Sequence, residues 1–105
     1  MVETEWVFLD VDPETAEFPL TMKIGNTDVV IFRVAGRLRA IQRWCPHQDA
    51  DLVDGRLMGD MIKCSLHGFI FRFTDGRGLN CPGINAEVFE VASELGRIKV
   101  RRIAN

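Results

Sequence analysis

The stretch "RWCPHQDADL", Arg43 to Leu52, is answered downstream by "KCSLHGFIF", Lys63 to Phe71. Each carries a cysteine just ahead of a histidine, Cys45 before His47 and Cys64 before His67, and the chain has only these two histidines. The combined spacing is C-x-H-x16-C-x2-H. Thiolate and imidazole are the soft and borderline donors chosen by zinc, copper and iron-sulfur clusters. A buried cysteine alone is usually a small hydrophobe, and a lone histidine is usually a hydrogen-bonded structural residue. Two such pairs in one segment, using every histidine available, point instead to metal. Cys81 has no histidine beside it and is read as a loop residue.

Zinc takes the same donors, and small domains use it as a staple. A zinc finger, however, groups its cysteines in one pair and its histidines in another. Here each pair is mixed, which suits a binuclear site: one iron takes both cysteines, the other both histidines, and each loop spans the two metals.

The flanks read as strands. In "DVVIFRV", Asp28 to Val34, Val30, Phe32 and Val34 share one face while Val29, Ile31 and Arg33 share the other. Gly25, Asn26 and Gly36 supply turns that tolerate positive φ. "AEVFEV" and "GRIKVRRI" form a second hairpin closed at residues 93–96, expected to pair with the earlier strands. Between these parts, residues 43–83 break the alternation, and within them "MIKCS" and "FIFRF" are short enough to be strands of a small sheet beside the two metal loops. The helical signal is confined to "DPETAEF", where Asp12 caps at most one turn. The expectation is one all-β domain, residues 1–105, with an antiparallel sandwich base and a small inserted cluster-binding subdomain at about residues 43–83.

A net charge of -2 and a pI near 5.6 give no electrostatic footprint for nucleic acid. No apolar run approaches a membrane span, and the acidic N-terminal stretch lacks the order of a secretory signal, so a cytoplasmic, unanchored protein is expected. Three cysteines make a poor disulfide framework.

"CPHQDADL" together with "CSLHGFIFRFTDG" resembles the Rieske 2Fe-2S proteins, especially the small soluble Rieske ferredoxins of bacterial oxygenase systems; "FPLTMKIGNTDVVIFRVAGRLRAIQRWCPH" and "VFEVASELGRIKV" resemble the family's flanking strands. The resemblance implies one Rieske-type 2Fe-2S cluster per chain. Cys45 and Cys64 would hold the inner iron and His47 and His67 the outer one. It also implies the Rieske fold, with the cluster loops at one tip. High-potential relatives carry an extra disulfide between the loops and a serine hydroxyl on a bridging sulfide, and at the matching positions this chain has Ala50, Leu66 and Phe69. A potential at the low end of the Rieske range, roughly -150 to -100 mV, is expected. Asp49 stands where many relatives have glycine; it either lowers the potential further or is a solvated loop residue.

The resemblance further implies a one-electron carrier without a catalytic site, a monomer passing electrons from a flavoprotein reductase to a terminal oxygenase and docking transiently near His47 and His67. No histidine is left for an oxygenase's mononuclear iron, and no nucleotide-binding fingerprint is present. One alternative is the small redox subunit of a nitrite reductase-type enzyme; a further one is a structural zinc-binding module. Trp44 and Phe69 are read as core packing beneath the loops, Pro46 and Pro82 as exposed rim, with Pro82 in a loop shielding the cluster. Asp49, Asp51, Asp54 and Asp60 are read as solvated carboxylates, or else as a set steering toward basic partners.

Overall fold

The computed structural model of the chain describes residues 5–46 and 50–103. Nine strands account for its regular structure: β1 Val7–Leu9, β2 Leu20–Ile24, β3 Thr27–Val34, β4 Arg37–Gln42, β5 Arg56–Met58, β6 Met61–Lys63, β7 Ile70–Arg72, β8 Val88–Glu94 and β9 Arg97–Arg102. One 3-10 turn, Leu52–Asp54, precedes β5. Among the described residues there is no α-helix, and so none long and apolar enough to cross a membrane. The all-β class is as expected. Residues 13–15 form the single turn at "DPETAEF", with the Glu14 amide donating to the Asp12 carboxylate and the Ala16 amide to the Asp12 carbonyl.

Six strands form one antiparallel sheet in the order β1-β9-β8-β4-β3-β2, and three form another, β5-β6-β7. The later hairpin does pair with the earlier strands, β8 with β4 and β9 with β1. Strands β1 and β5 were not legible in the sequence; each is three residues long, too short to show a period.

The reading of β3 holds on both faces. Val29 and Ile31 enter a core with Ala40, Phe89, Ile98 and Val100, to which β1 and β2 at opposite ends of the sheet also contribute. The large sheet therefore curls over this core. Val30, Phe32 and Val34 enter a second core with Ile41, Leu52, Ile62, Phe71 and all three cysteines. That second core lies between the large sheet and the small one. One side-chain link crosses it: Arg39 on β4 donates two hydrogen bonds to Asp60 in the β5–β6 turn, which the Phe73 amide also ties to the end of β7 through the Asp60 carbonyl.

Gly76 fixes the junction between the small sheet and the segment leading to β8. Its φ is +77°, and a Cβ there would lie 1.8 Å from the Ala86 carbonyl oxygen, a backbone atom that cannot swing aside. Gly76→Ala is expected to destabilise the protein by about 3 kcal/mol through left-handed strain plus overlap, a fall in Tm of roughly 15 °C. Thermal unfolding followed by circular dichroism checks this.

Candidate metal centre

The two cysteine loops are built alike. Trp44, just past β4, pairs antiparallel with Asp51, and Lys63, ending β6, pairs antiparallel with Ile70. Each pair closes a loop of six residues, 45–50 and 64–69, and each loop opens with its cysteine. The Cys45 amide donates to the Ala50 carbonyl at 2.8 Å, and the Cys64 amide donates to the Phe69 carbonyl at 2.7 Å. The same i to i+5 closure thus sets both cysteines at equivalent corners. In the second loop the Gly68 amide also donates to the Cys64 carbonyl, with Gly68 at φ +73°, where a side chain would be strained.

Both thiols face inward. Cys45 is 4% exposed and Cys64 1%, within the core shared with Leu52, Ile62 and Phe71. Among the described residues, which include all three cysteines, no disulfide forms. His67 is exposed on its loop, its ring centroid 6.1 Å from that of Phe69. Apolar surroundings around both cysteines give the loops a dry base, and exposed His67 gives the second loop a wet tip.

A polar frame holds the first loop. Arg43 grips Asp51 with a forked pair of hydrogen bonds, the shortest 2.8 Å, and Asp51 also accepts from the Val53 amide to cap the 3-10 turn. The Trp44 indole donates to Asp28 on β3 at 3.0 Å, and the Arg43 guanidinium lies over the Trp44 ring. The hydrogen bond from Arg43 holds the Asp51 carboxyl below its ordinary value, burial opposing and the Val53 amide assisting. The Trp44 and Lys23 hydrogen bonds do the same for Asp28. Asn80 serves the second loop: its amide nitrogen donates to the Gly68 carbonyl and its oxygen accepts from the Ile70 amide, bracketing Phe69. None of Asp28, Arg43 or Asn80 was singled out as a site residue in the sequence. A single asparagine or a charged pair eight residues apart carries no periodic signal.

Other residues fall as follows. His47 and Asp49 lie outside the described residues. Among those described, no three Cys, His, Asp or Glu side chains converge on one point. Trp44 is 39% exposed and tied to Asp28, so it is not core packing as expected; Phe69 does pack against the core. Pro46 and Pro82 are exposed. Cys81 is buried with its thiol 3.9 Å from the Ile84 carbonyl, against Gly78, where a Cβ would come within 2.6 Å of the sulfur. Asp51 and Asp60 are not free carboxylates: Arg43 binds Asp51 and Arg39 binds Asp60, whose side chain stays 38% exposed.

The model of the Rieske [2Fe-2S] domain matches residues 5–98. The chain belongs to the Rieske [2Fe-2S] family. Among its Rieske relatives are the ferredoxin component of the alkene monooxygenase system of Xanthobacter autotrophicus, 31% identical over 73% of this chain and 64% of that protein, and ferredoxin CarAc of Metapseudomonas resinovorans, 32% identical over 74% of each. The domain also occurs within larger proteins: the 4beta-methylsterol monooxygenase of Methylococcus capsulatus is 36% identical over 76% of this chain but only 21% of its own length. Among solved structures, a chain from the complex of reduced oxygenase and oxidised ferredoxin of carbazole 1,9a-dioxygenase superposes with a TM-score of 0.79 at 24% identity, covering 98% of this chain and all of that one. A protein assigned as the NADH-dependent nitrite reductase small subunit of Mycobacterium tuberculosis gives 0.83 at 19%, covering 99% of this chain. At such identities these two show the fold alone.

A Rieske-type 2Fe-2S cluster is the cofactor of this family, and the described donors fit it. Two inward thiols at equivalent corners and one outward imidazole match a group with thiolate ligands on one side and imidazole on the other.

The depressed Asp51 carboxyl stabilises the folded state above its ordinary pKa of 3.8, and that contribution is lost as the pH falls below this toward the depressed value. Asp51→Asn is expected to lower Tm by several degrees at pH 7, and the gap to the unmodified protein should narrow below pH about 4. Paired thermal melts across pH 3 to 7 measure it; a gap unchanged by pH would mean the charge of Asp51 contributes nothing.

Proposed function

We propose that this Rieske protein is a one-electron carrier between a flavin-dependent reductase and a terminal oxygenase, with no catalytic site of its own. The observation that carries the reading is the polarity of the loop pair: buried cysteines on the core side and an exposed histidine at the tip. In the proposal Cys45 and Cys64 hold one iron and His47 and His67 the other. The bound cluster supplies reversible one-electron chemistry with no open coordination position. The buried thiols keep water from the core side, and Asn80 and the Arg43–Asp51 frame hold the two loops in register. His67 brings the outer edge to the surface, where a partner can approach without the protein opening.

The relatives named as ferredoxin components of an alkene monooxygenase system and CarAc support this reading, as does the likeness to a structure of an oxygenase–ferredoxin complex. Because the aligned region spans under two thirds of the alkene monooxygenase ferredoxin, that system's substrate is not carried over. The proposal extends to a single domain over residues 1–105, monomeric and cytoplasmic. A second reading, the small redox subunit of a nitrite reductase-type enzyme, is favoured by the TM-score of 0.83. Reconstitution separates them: NADH-dependent substrate oxidation with a reductase and oxygenase supports the first, nitrite reduction with a large reductase subunit the second.

His67→Ala is expected to abolish the Rieske electron paramagnetic resonance signal, while Cys81→Ser leaves it intact. A redox titration should give a midpoint of roughly -150 to -100 mV. A clearly positive midpoint would count against the low-potential reading, and a changed signal in Cys81→Ser against the ligand set.

A further inference from the structure

The outward face of the small sheet is cationic. Ile62 and Phe71 point inward and are fully buried, so their neighbours along each strand point out. The register then lines up Arg56, Lys63 and Ile70 across β5, β6 and β7, with Met58, Met61 and Arg72 in the next row. The segment 77–79 adds a fourth edge: Phe71 pairs with Gly78, which sets Leu79 beside Ile70 and Arg77 beside Arg72. Gly78 faces inward against Cys81, so Arg77 and Leu79 face out.

Both rows therefore place cation opposite cation, Arg56 by Lys63 and Arg72 by Arg77. Like charges directly opposite each other destabilise a sheet. Asp75 offsets the second pair only in part: it binds the Arg72 guanidinium, and from Arg77 it accepts only the backbone amide. Arg56 and Lys63 have no acidic partner among the described residues. The remaining acid in residues 56–79, Asp60, is bound by Arg39. This segment holds four basic and two acidic residues, Arg56, Lys63, Arg72 and Arg77 against Asp60 and Asp75, a surplus of +2 in a chain whose net charge is -2. The face thus carries a concentrated charge that the fold does not neutralise.

It also adjoins the histidine loop. A Cβ on Gly68, next to His67, would lie 3.4 Å from the Lys63 side chain, so that side chain runs along the loop. Leu66, 61% exposed, and Leu79, 44% exposed, add apolar surface beside the cations. Apolar patches ringed by arginine are typical of protein interfaces.

We infer that this face, Arg56, Lys63 and Arg77 around Leu66 and Leu79, docks an acidic surface on a redox partner protein and so brings that partner to the His67 edge. The inference rests on the electron-carrier reading and adds the sign of the partner's charge, opposite to the basic partner suggested in the sequence by Asp49, Asp51, Asp54 and Asp60. The overall negative charge of the chain disfavours an extended polyanion, which would also meet the acidic remainder. A compact acidic patch fits the face without doing so.

Small charged oxidants test the face directly. Holoprotein reduced with dithionite is mixed in stopped flow with hexacyanoferrate(III), an anion, or tris(phenanthroline)cobalt(III), a cation, at low and high ionic strength. The rate with the anion should fall as salt is added and that with the cation should not. In the Arg56→Glu/Arg77→Glu variant the low-salt rate with hexacyanoferrate should drop about tenfold, while Arg37→Glu at the start of β4 leaves it unchanged. An unaltered resonance signal and midpoint in both variants show that cluster and fold are intact. Equal salt dependence for both oxidants, or no effect of the double variant, would overturn the inference.

The partner class is tested separately. Poly-glutamate should inhibit reduction of the holoprotein by a flavoprotein reductase in the unmodified protein and not in the double variant; inhibition of both alike would overturn the acidic-protein assignment. Co-flotation with phosphatidylglycerol vesicles that depends on Arg56 and Arg77 would also overturn it, in favour of a lipid surface. Failure of every reductase and oxygenase tried, with the small-oxidant result intact, would remove the carrier reading and leave the cationic face standing.

Discussion

Two backbone hydrogen bonds organise the metal end of this protein, from the Cys45 amide to the Ala50 carbonyl and from the Cys64 amide to the Phe69 carbonyl. Each closes a six-residue segment whose first side chain points into the core, and in the second the His67 side of the loop is exposed. Because both loops use the same closure, two cysteines nineteen residues apart in sequence (64 minus 45) occupy equivalent positions. The flanking pairs, Trp44 with Asp51 and Lys63 with Ile70, anchor the closures to the two sheets. The side-chain frame around them, from Asp28 to Asn80, then suppresses movement of loops that have no regular structure of their own.

Much of this was legible in the sequence, and for definable reasons. Strand β3 declared itself because apolar residues occupy both of its faces, and the structure buries both. The cysteines and histidines stood out because their types are chemically restricted and their spacing is tight. What stayed hidden depends on tertiary geometry. The three-residue strands β1 and β5 gain their order from neighbours, not from any periodicity. The Asn80 bracket joins residues ten and twelve positions apart through one amide group. The aspartates between Asp49 and Asp60 looked alike in sequence, yet Asp51 and Asp60 are bound by arginines that lie on β4 or just after it. The cationic face appeared only once register placed like charges opposite one another.

The division of labour between the sheets follows from the same geometry. The large sheet curls over a purely aliphatic and aromatic core, whereas the core facing the small sheet includes the three cysteines. Charge is partitioned as well: the surface of the small sheet is basic, while the chain as a whole is acidic.

Strand β3 belongs to both cores, with Val29 and Ile31 in one and Val30, Phe32 and Val34 in the other. A strand packed on two sides resists local opening even when one side loosens, because the remaining core still holds it. Loosening of the cysteine-bearing core therefore leaves β3 held from its other side by Ala40, Phe89, Ile98 and Val100, and the curled sheet remains a platform for the two cysteine loops.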